Sequence, residues 1–171
     1  MAVEYIDYTV FLGLNAVSEP VRLACKALVA SRLPSSLHMT WDHVGRCDHT
    51  VWQHSRALQD RYYPFMDELA SHAFLLREGY LDSTLRLATF DERLRDLPVL
   101  HRLLVARALE RHGLVYTLAP ELPLRPDLPV RRPPPASEEL EFPAWLEPLY
   151  RDSLALRIDL QAEEAVACTA G

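Results

Sequence analysis

Residues 5 to 14, YIDYTVFLGL, decide the predicted fold because a β-rich apolar run is followed directly by a helical pattern. Residues 5 to 12 are rich in β-branched and aromatic side chains, which predicts a buried first strand. From Val21 onward apolar residues recur at helical spacing behind Ser18, a candidate N-cap, with Pro20 in the first turn. The N-terminal segment therefore predicts a strand followed by a helix.

The same alternation continues along the chain. Two further strands are predicted, over 35 to 40 and 114 to 118. Helices are predicted over 41 to 63 (ending before Pro64), 65 to 72, 82 to 89, 91 to 96, and 98 to 112, the last with Gly113 as a left-handed C-cap. Alternating strands and helices favour a parallel sheet covered on both faces. The predicted fold class is α/β, a three-layer α/β/α sandwich with a central, mostly parallel sheet.

The chain is predicted to have one main domain and a C-terminal extension. Its 171 residues, 49% of them hydrophobic, suit a single core, assigned to residues 1 to 119. Seven of the 13 prolines fall within 120 to 136, which predicts a semi-rigid arm. Residues 137 to 171 are expected to form a helix and a flexible tail. The helix returns to the body or reaches a second subunit, and we expect a homodimer with Trp145 as an anchor.

Charge and composition narrow the functional classes. A net charge of −6 and a pI near 5.6 predict no general attraction to nucleic acid or anionic lipid, so an RNA or small-molecule ligand would need a specific site. No apolar run of about 18 residues and no leader pattern is found, which predicts a cytoplasmic protein without a membrane partner. The spacing of Cys25, Cys47 and Cys168 indicates neither a disulfide framework nor a zinc cluster.

Asp7 is the first candidate functional residue, because a carboxylate inside a buried run is costly unless another group compensates it. In parallel α/β sheets, ligands bind at the carboxyl ends of the strands. Asp7, the 40 to 48 turn, the start of the 98 to 112 helix and Thr117 are expected to meet there.

These segments resemble the PIN-domain family of metal-dependent ribonucleases over roughly residues 4 to 120. IDYTVFLGL resembles the first family motif, with Asp7 followed by Thr9. LLVARALERHGLVYTL resembles the last helix and strand, which Thr117 closes. The resemblance implies three or four carboxylates around Mg²⁺ or Mn²⁺, holding a water for attack on a phosphodiester.

The sequence departs from this family at the other acidic positions. Only Asp7 matches position for position. The other three family acids fall near Arg46, near His101 or Arg102, and at Ala119. The nearest carboxylates in the sequence are Asp42, Asp48 and Asp96.

Three hypotheses follow. The first is a PIN-like protein with a degenerate nuclease site, no expected cofactor, and either a binding or assembly role or a repurposed pocket. The second is a weak, toxin-like Mg²⁺- or Mn²⁺-dependent ribonuclease that uses Asp7, Asp48 or Asp42, and Asp96 as metal ligands. The third is small-molecule chemistry in the same pocket, with acid–base or nucleophilic groups from Asp7, His101, Arg46 and Cys47.

Each candidate also has a structural alternative. Asp7 is equally typical of a carboxylate that accepts backbone N–H bonds, and Asp96 of a residue in a first helical turn. Cys47 is either an activated thiolate or a buried, inert cysteine. Four histidines form either a metal cluster or a solvated helix face: His38, His43, His49 and His54. Arg102, Arg107 and Arg111 form either a small basic face suited to a phosphate or carboxylate or solvated helix charges.

Overall fold

The computed structural model describes residues 2–72 and 74–162, so Cys168 and the predicted tail beyond 162 lie outside the described residues. The strands are β1 (Glu4–Ile6), β2 (Leu37–Thr40), β3 (Leu75–Glu78), β4 (Leu114–Tyr116) and β5 (Val130–Arg131). The helices are α1 (Tyr8–Gly13), α2 (Glu19–Arg32), α3 (Trp41–Trp52), α4 (Arg56–Ser71), α5 (Asp82–Phe90), α6 (Val99–Glu110) and α7 (Glu147–Ser153).

The strands form one parallel sheet in the order β3-β2-β1-β4-β5. Neighbouring residues of β1 face opposite sides, so Ile6 and Tyr5 belong to two separate cores. The Ile6 core includes residues of α2, α3, α4 and α7, such as Phe65, whereas the Tyr5 core includes residues of α5 and α6, such as Leu104. The predicted three-layer α/β/α sandwich is confirmed.

The prediction of a strand over 5 to 12 is wrong, because β1 ends at Ile6 and α1 begins at Tyr8. Asp7 lies between them as the N-cap of α1, and its side chain accepts the Val10 N–H at 3.1 Å. An aspartate N-cap satisfies a donor that the first helical turn leaves unpaired. Here this local bond outweighs the β propensity of the apolar residues that follow.

The prediction of a helix over 41 to 63 is also wrong, since α3 ends at Trp52 and α4 runs from Arg56 to Ser71 through Pro64. Proline removes the hydrogen bond to the carbonyl four residues earlier, which belongs to Asp60. Both Pro64 and Asp60 lie on the exposed surface, where water can satisfy that carbonyl.

Two strands were not predicted. β3 has two charged residues among four, and β5 consists of two residues inside the proline-rich segment. Both strands lie at the edges of the sheet, where charged residues and proline are tolerated.

The C-terminal end of α6 differs in detail from its prediction. The left-handed residue is His112, with φ of 51°, and not Gly113. Glycine is required at 113 because a Cβ there would lie 2.6 Å from the Val3 carbonyl oxygen. The close approach to the first strand, and not the backbone angle, explains this glycine.

The C-terminal extension lies against the body of the same chain. Leu122 and Leu128 are buried in the Tyr5 core, and α7 packs on α4. The predicted boundaries at 119 and 136 stay predictions. None of the helices within residues 2–72 and 74–162 has the length and apolar character needed to cross a bilayer.

Candidate functional site at the carboxyl edge of the sheet

The candidate site lies where β1 and β4 end. Asp7 follows β1 and Thr117 follows β4, which are neighbouring parallel strands. His101 lies in the first turn of α6, and His43 lies in the first turn of α3. The structure therefore brings these elements of the sheet edge together, and we call Asp7, Thr9, Thr117, His101 and His43 the Asp7 network.

The Asp7 carboxylate is fully buried, accepts three hydrogen bonds and contacts one histidine. Its Oδ1 accepts the Thr9 hydroxyl at 2.5 Å and the Val10 N–H at 3.1 Å. Its Oδ2 accepts the Thr117 hydroxyl at 2.5 Å and lies 3.3 Å from His101 Nε2. The protein itself therefore satisfies both carboxylate oxygens.

The two threonine hydroxyls have a fixed direction. The Leu118 N–H donates to Thr9 Oγ1 at 2.8 Å, and the Ala119 N–H donates to Thr117 Oγ1 at 3.0 Å. Because each hydroxyl already accepts a backbone N–H, its own proton is directed to Asp7. This arrangement suits an ionised Asp7, which only accepts.

The pKa of Asp7 reflects two opposing effects. Burial raises the pKa, since it disfavours the charged form. The contact with the His101 ring and the hydrogen bond from Thr117 together hold the pKa of Asp7 below its usual value. The carboxylate is therefore ionised at neutral pH despite its burial.

His43 is a site residue that the sequence placed only among four scattered histidines. The Tyr8 N–H donates to His43 Nδ1 at 3.2 Å, so the ring proton is on Nε2, which lies 3.2 Å from the Leu100 carbonyl oxygen. Burial lowers the pKa of His43, which keeps the ring neutral. His43 therefore links the start of α1 to the start of α6, and no sequence motif indicates this role.

The Tyr8 ring stacks on the rings of both His43 and His101 beside the carboxylate. The Tyr8 ring centroid lies 5.7 Å from that of His43 and 6.0 Å from that of His101. The Arg46 guanidinium lies 5.6 Å from the Tyr8 ring centroid, in the range of a cation–π contact. Arg46 thus approaches the Asp7 network through Tyr8.

Cys47 is completely buried, and its Sγ lies 4.0 Å from the Tyr8 carbonyl oxygen. Burial raises the pKa of the thiol well above its usual value, and the charges of Asp48 and Asp7 act in the same direction. This environment keeps the thiol protonated and argues for the inert alternative over an activated thiolate.

The other candidate metal ligands have separate partners. Asp48 accepts the Tyr63 hydroxyl at 3.2 Å, and Asp96, which is exposed, pairs with Arg125 at 3.0 Å. In the part of the chain that the structure describes, no group of three His, Cys, Asp or Glu side chains is placed to hold a metal ion. Asp7, Asp48 and Asp96 are thus not brought together as a ligand set.

The three arginines of the candidate basic face contact other groups. Arg102 donates to the Leu97 carbonyl at 2.8 Å. Arg107 and Arg111 both pair with Glu78, at 2.9 and 3.2 Å. These contacts favour a structural role for all three guanidinium groups.

Comparison with known proteins places the chain in a family. It belongs to DUF6190, a family of unknown function whose model matches residues 1–163. No curated protein matches the sequence. The matched residues include the sheet, the Asp7 network and α7.

Proposed function

We propose that this chain is a cytoplasmic, PIN-like protein whose nuclease site is degenerate and which acts by binding or assembly. The observation that carries this proposal is the Asp7 carboxylate, whose two oxygens accept two hydroxyls and a backbone N–H and contact His101. The one acid that matches the PIN motif is thereby engaged by the protein.

A hard divalent cation needs several oxygen ligands, usually including more than one carboxylate. At Asp7 a cation would have to displace donors that already compensate the buried charge, and His101, which contacts Asp7, is one of the two residues near which the resemblance implies an acid, the other being Arg102. The loss of four protein contacts would offset much of the gain from coordination. These considerations support a binding role over hydrolysis of a phosphodiester.

The first experiment measures cleavage of single-stranded RNA in the presence of Mn²⁺. The wild-type protein is expected to show no cleavage above that of Asp7→Asn, which keeps the size of the side chain. Cleavage that depends on Asp7 would overturn the proposal and favour the ribonuclease alternative.

A second experiment restores acids at the positions that the resemblance implies. Arg46→Glu combined with His101→Asp is expected to bind Mn²⁺ more tightly than the matched control Arg46→Gln with His101→Asn. A folded restored variant with no gain over this control would count against the PIN-like part of the proposal.

The proposal includes a homodimer to which the C-terminal segment contributes. Within the chain, Leu146 and Tyr150 are buried, so they are not available to a partner. Trp145 remains 45% exposed beside His72 and Phe74, with ring centroids 4.8 and 6.1 Å away. Light scattering is expected to give a dimer that Trp145→Ala weakens. A monomeric wild-type chain would end this part of the proposal.

A further inference from the structure

A groove on the surface between α3, α4 and β3 is separate from the Asp7 network. Its lining includes Trp41, Gly45, Asp48, Tyr63, Asp67 and Arg77, and we call it the α3–α4 groove. Trp41 lies directly after β2, so the groove opens at the same sheet edge where parallel α/β proteins bind ligands.

The groove is open enough for a ligand to reach an aromatic ring. Trp41 is 52% exposed, although most large aromatic side chains are buried on folding. At Gly45 a Cβ would meet no atom within 4 Å, so the α3 backbone is accessible there. A flat group can therefore approach the indole and the helix together.

Asp48 supplies an oriented carboxylate. The Tyr63 hydroxyl donates to its Oδ1 at 3.2 Å. Burial, the Asp48 charge and this hydrogen bond raise the pKa of Tyr63 to about 12, so the hydroxyl remains a donor at neutral pH. A carboxylate has about four acceptor positions, and the Tyr63 hydroxyl uses one of them. The Asp48 side chain is partly exposed, so it can accept further donors.

The charges of the groove favour a cation. Asp48 and Asp67 are two carboxylates, whereas Arg77 is the single cationic residue in the lining. The Arg77 guanidinium lies 5.0 Å from the Trp41 ring centroid, which shows that the indole accepts a guanidinium group in this geometry. A second guanidinium could use the carboxylates as bidentate acceptors.

We propose that the α3–α4 groove binds an arginine side chain presented by a partner protein. The guanidinium would pair with Asp48 and contact the Trp41 ring, while Asp67 adds negative charge. This inference rests on the proposed binding role and names the chemistry of the partner.

The probe is the peptide acetyl-Gly-Arg-Gly-amide, and its neutral control carries citrulline in place of arginine. The protein carries Trp52→Phe and Trp145→Phe, so that its fluorescence reports Trp41 alone. We expect a saturable change with the arginine peptide and none with the citrulline peptide. Equal responses to both peptides, or no saturation by about 10 mM, would overturn the proposal.

Charge variants give opposite expected effects. Asp48→Asn is expected to weaken binding about tenfold or more, because a charge-assisted hydrogen bond is lost. Arg77→Gln is expected to strengthen binding, because it removes a like charge and a competitor for the Trp41 ring. Asp60→Asn makes the same charge change as Asp48→Asn on α4 outside the groove lining and is expected to leave affinity unchanged.

The reverse pattern, in which Arg77→Gln weakens and Asp48→Asn strengthens binding, would indicate an anionic ligand and contradict the proposal. An equal loss in Asp60→Asn would also contradict it, since binding would then follow net charge alone. These outcomes leave the test of the Asp7 site untouched, because Asp7-dependent RNA cleavage overturns the degenerate site whatever the groove binds.

Discussion

Two fully buried ionic groups, Asp7 and Lys26, are compensated in different ways. Lys26, the sole lysine of the chain, contacts Glu139 at 2.8 Å and Glu147 at 2.7 Å, and its Nζ lies 4.6 Å from the Tyr150 ring centroid. Asp7 is satisfied by hydroxyls, a backbone N–H and a histidine.

The difference shows how each group depends on the rest of the fold. The Lys26 carboxylates lie 113 and 121 residues away along the chain, in the C-terminal segment that also carries α7. The groups that contact Asp7 come from the first turns of α1 and α6 and from the end of β4, which the sheet aligns in any case. Lys26 therefore holds the C-terminal segment on α2, whereas Asp7 joins two strands at the candidate site.

The largest expected effect is that of Lys26→Met. It removes the fully buried cation between Glu139 and Glu147, which keep only Arg22 and Arg151 as cationic partners. The free energy of unfolding is expected to fall by about 2–4 kcal/mol, with allowance for the partial exposure of both carboxylates. Urea denaturation at neutral pH measures this loss.

The control is Lys26→Met combined with Glu147→Gln, which removes one negative charge together with the cation and leaves Glu139 paired with Arg22 and Arg151. This variant is expected to regain part of the lost stability. A double variant less stable than Lys26→Met would show that Glu147 stabilises the fold through other contacts.

Asp7→Ala is expected to lower the free energy of unfolding by about 2–3 kcal/mol, since it removes the α1 N-cap and leaves buried donors without an acceptor. Asp7→Asn keeps an acceptor oxygen and is expected to lose less. If both variants matched the wild type in urea denaturation, the Asp7 network would not stabilise the fold.

Acid is expected to weaken the same network through His43. The folded-state pKa of His43 is lowered by burial, so its contribution is fully present above the unfolded value of 6.5 and is lost as pH falls below it. The expected slope is at most about 1.4 kcal/mol per pH unit for this group.

The check compares urea midpoints at about pH 7 and about pH 5.5. His43→Asn keeps an acceptor for the Tyr8 N–H and cannot be protonated in this range, so it should lose less stability than wild type. An identical loss would assign the pH dependence to other groups, such as His38, whose pKa burial also lowers.

The smallest expected effect is that of Asp96→Asn. Asp96 is exposed and pairs with Arg125 at the surface, where ion pairs contribute little. Its urea midpoint is expected to equal that of wild type. A clear loss would show that the contact between the Asp96 loop and the proline-rich segment is stronger than its exposure indicates.

The sequence predicts the layers of the fold but not every element. Periodicity identifies α2, whose apolar face repeats over several turns, whereas Pro98 and Gly113 indicate the ends of α6. Periodicity predicts the end of β1 wrongly. The hydrogen bond by which Asp7 caps α1 exists only in the folded helix and produces no periodic pattern in the sequence. Periodicity misses β3 because a short edge strand carries little pattern.

The sequence likewise predicts only some residues of the candidate site. The position of Asp7 and Thr117 at the strand ends follows from parallel topology. The role of His43 does not, because it depends on contacts with Tyr8 and Leu100 that no spacing in the sequence encodes.

The most direct test of the degenerate site is calorimetric titration of Mn²⁺ into the wild-type protein and Asp7→Asn. Because the Asp7 carboxylate is already satisfied by the chain, we expect no heat of binding that depends on Asp7. Tight binding of Mn²⁺ that Asp7→Asn abolishes would contradict the account.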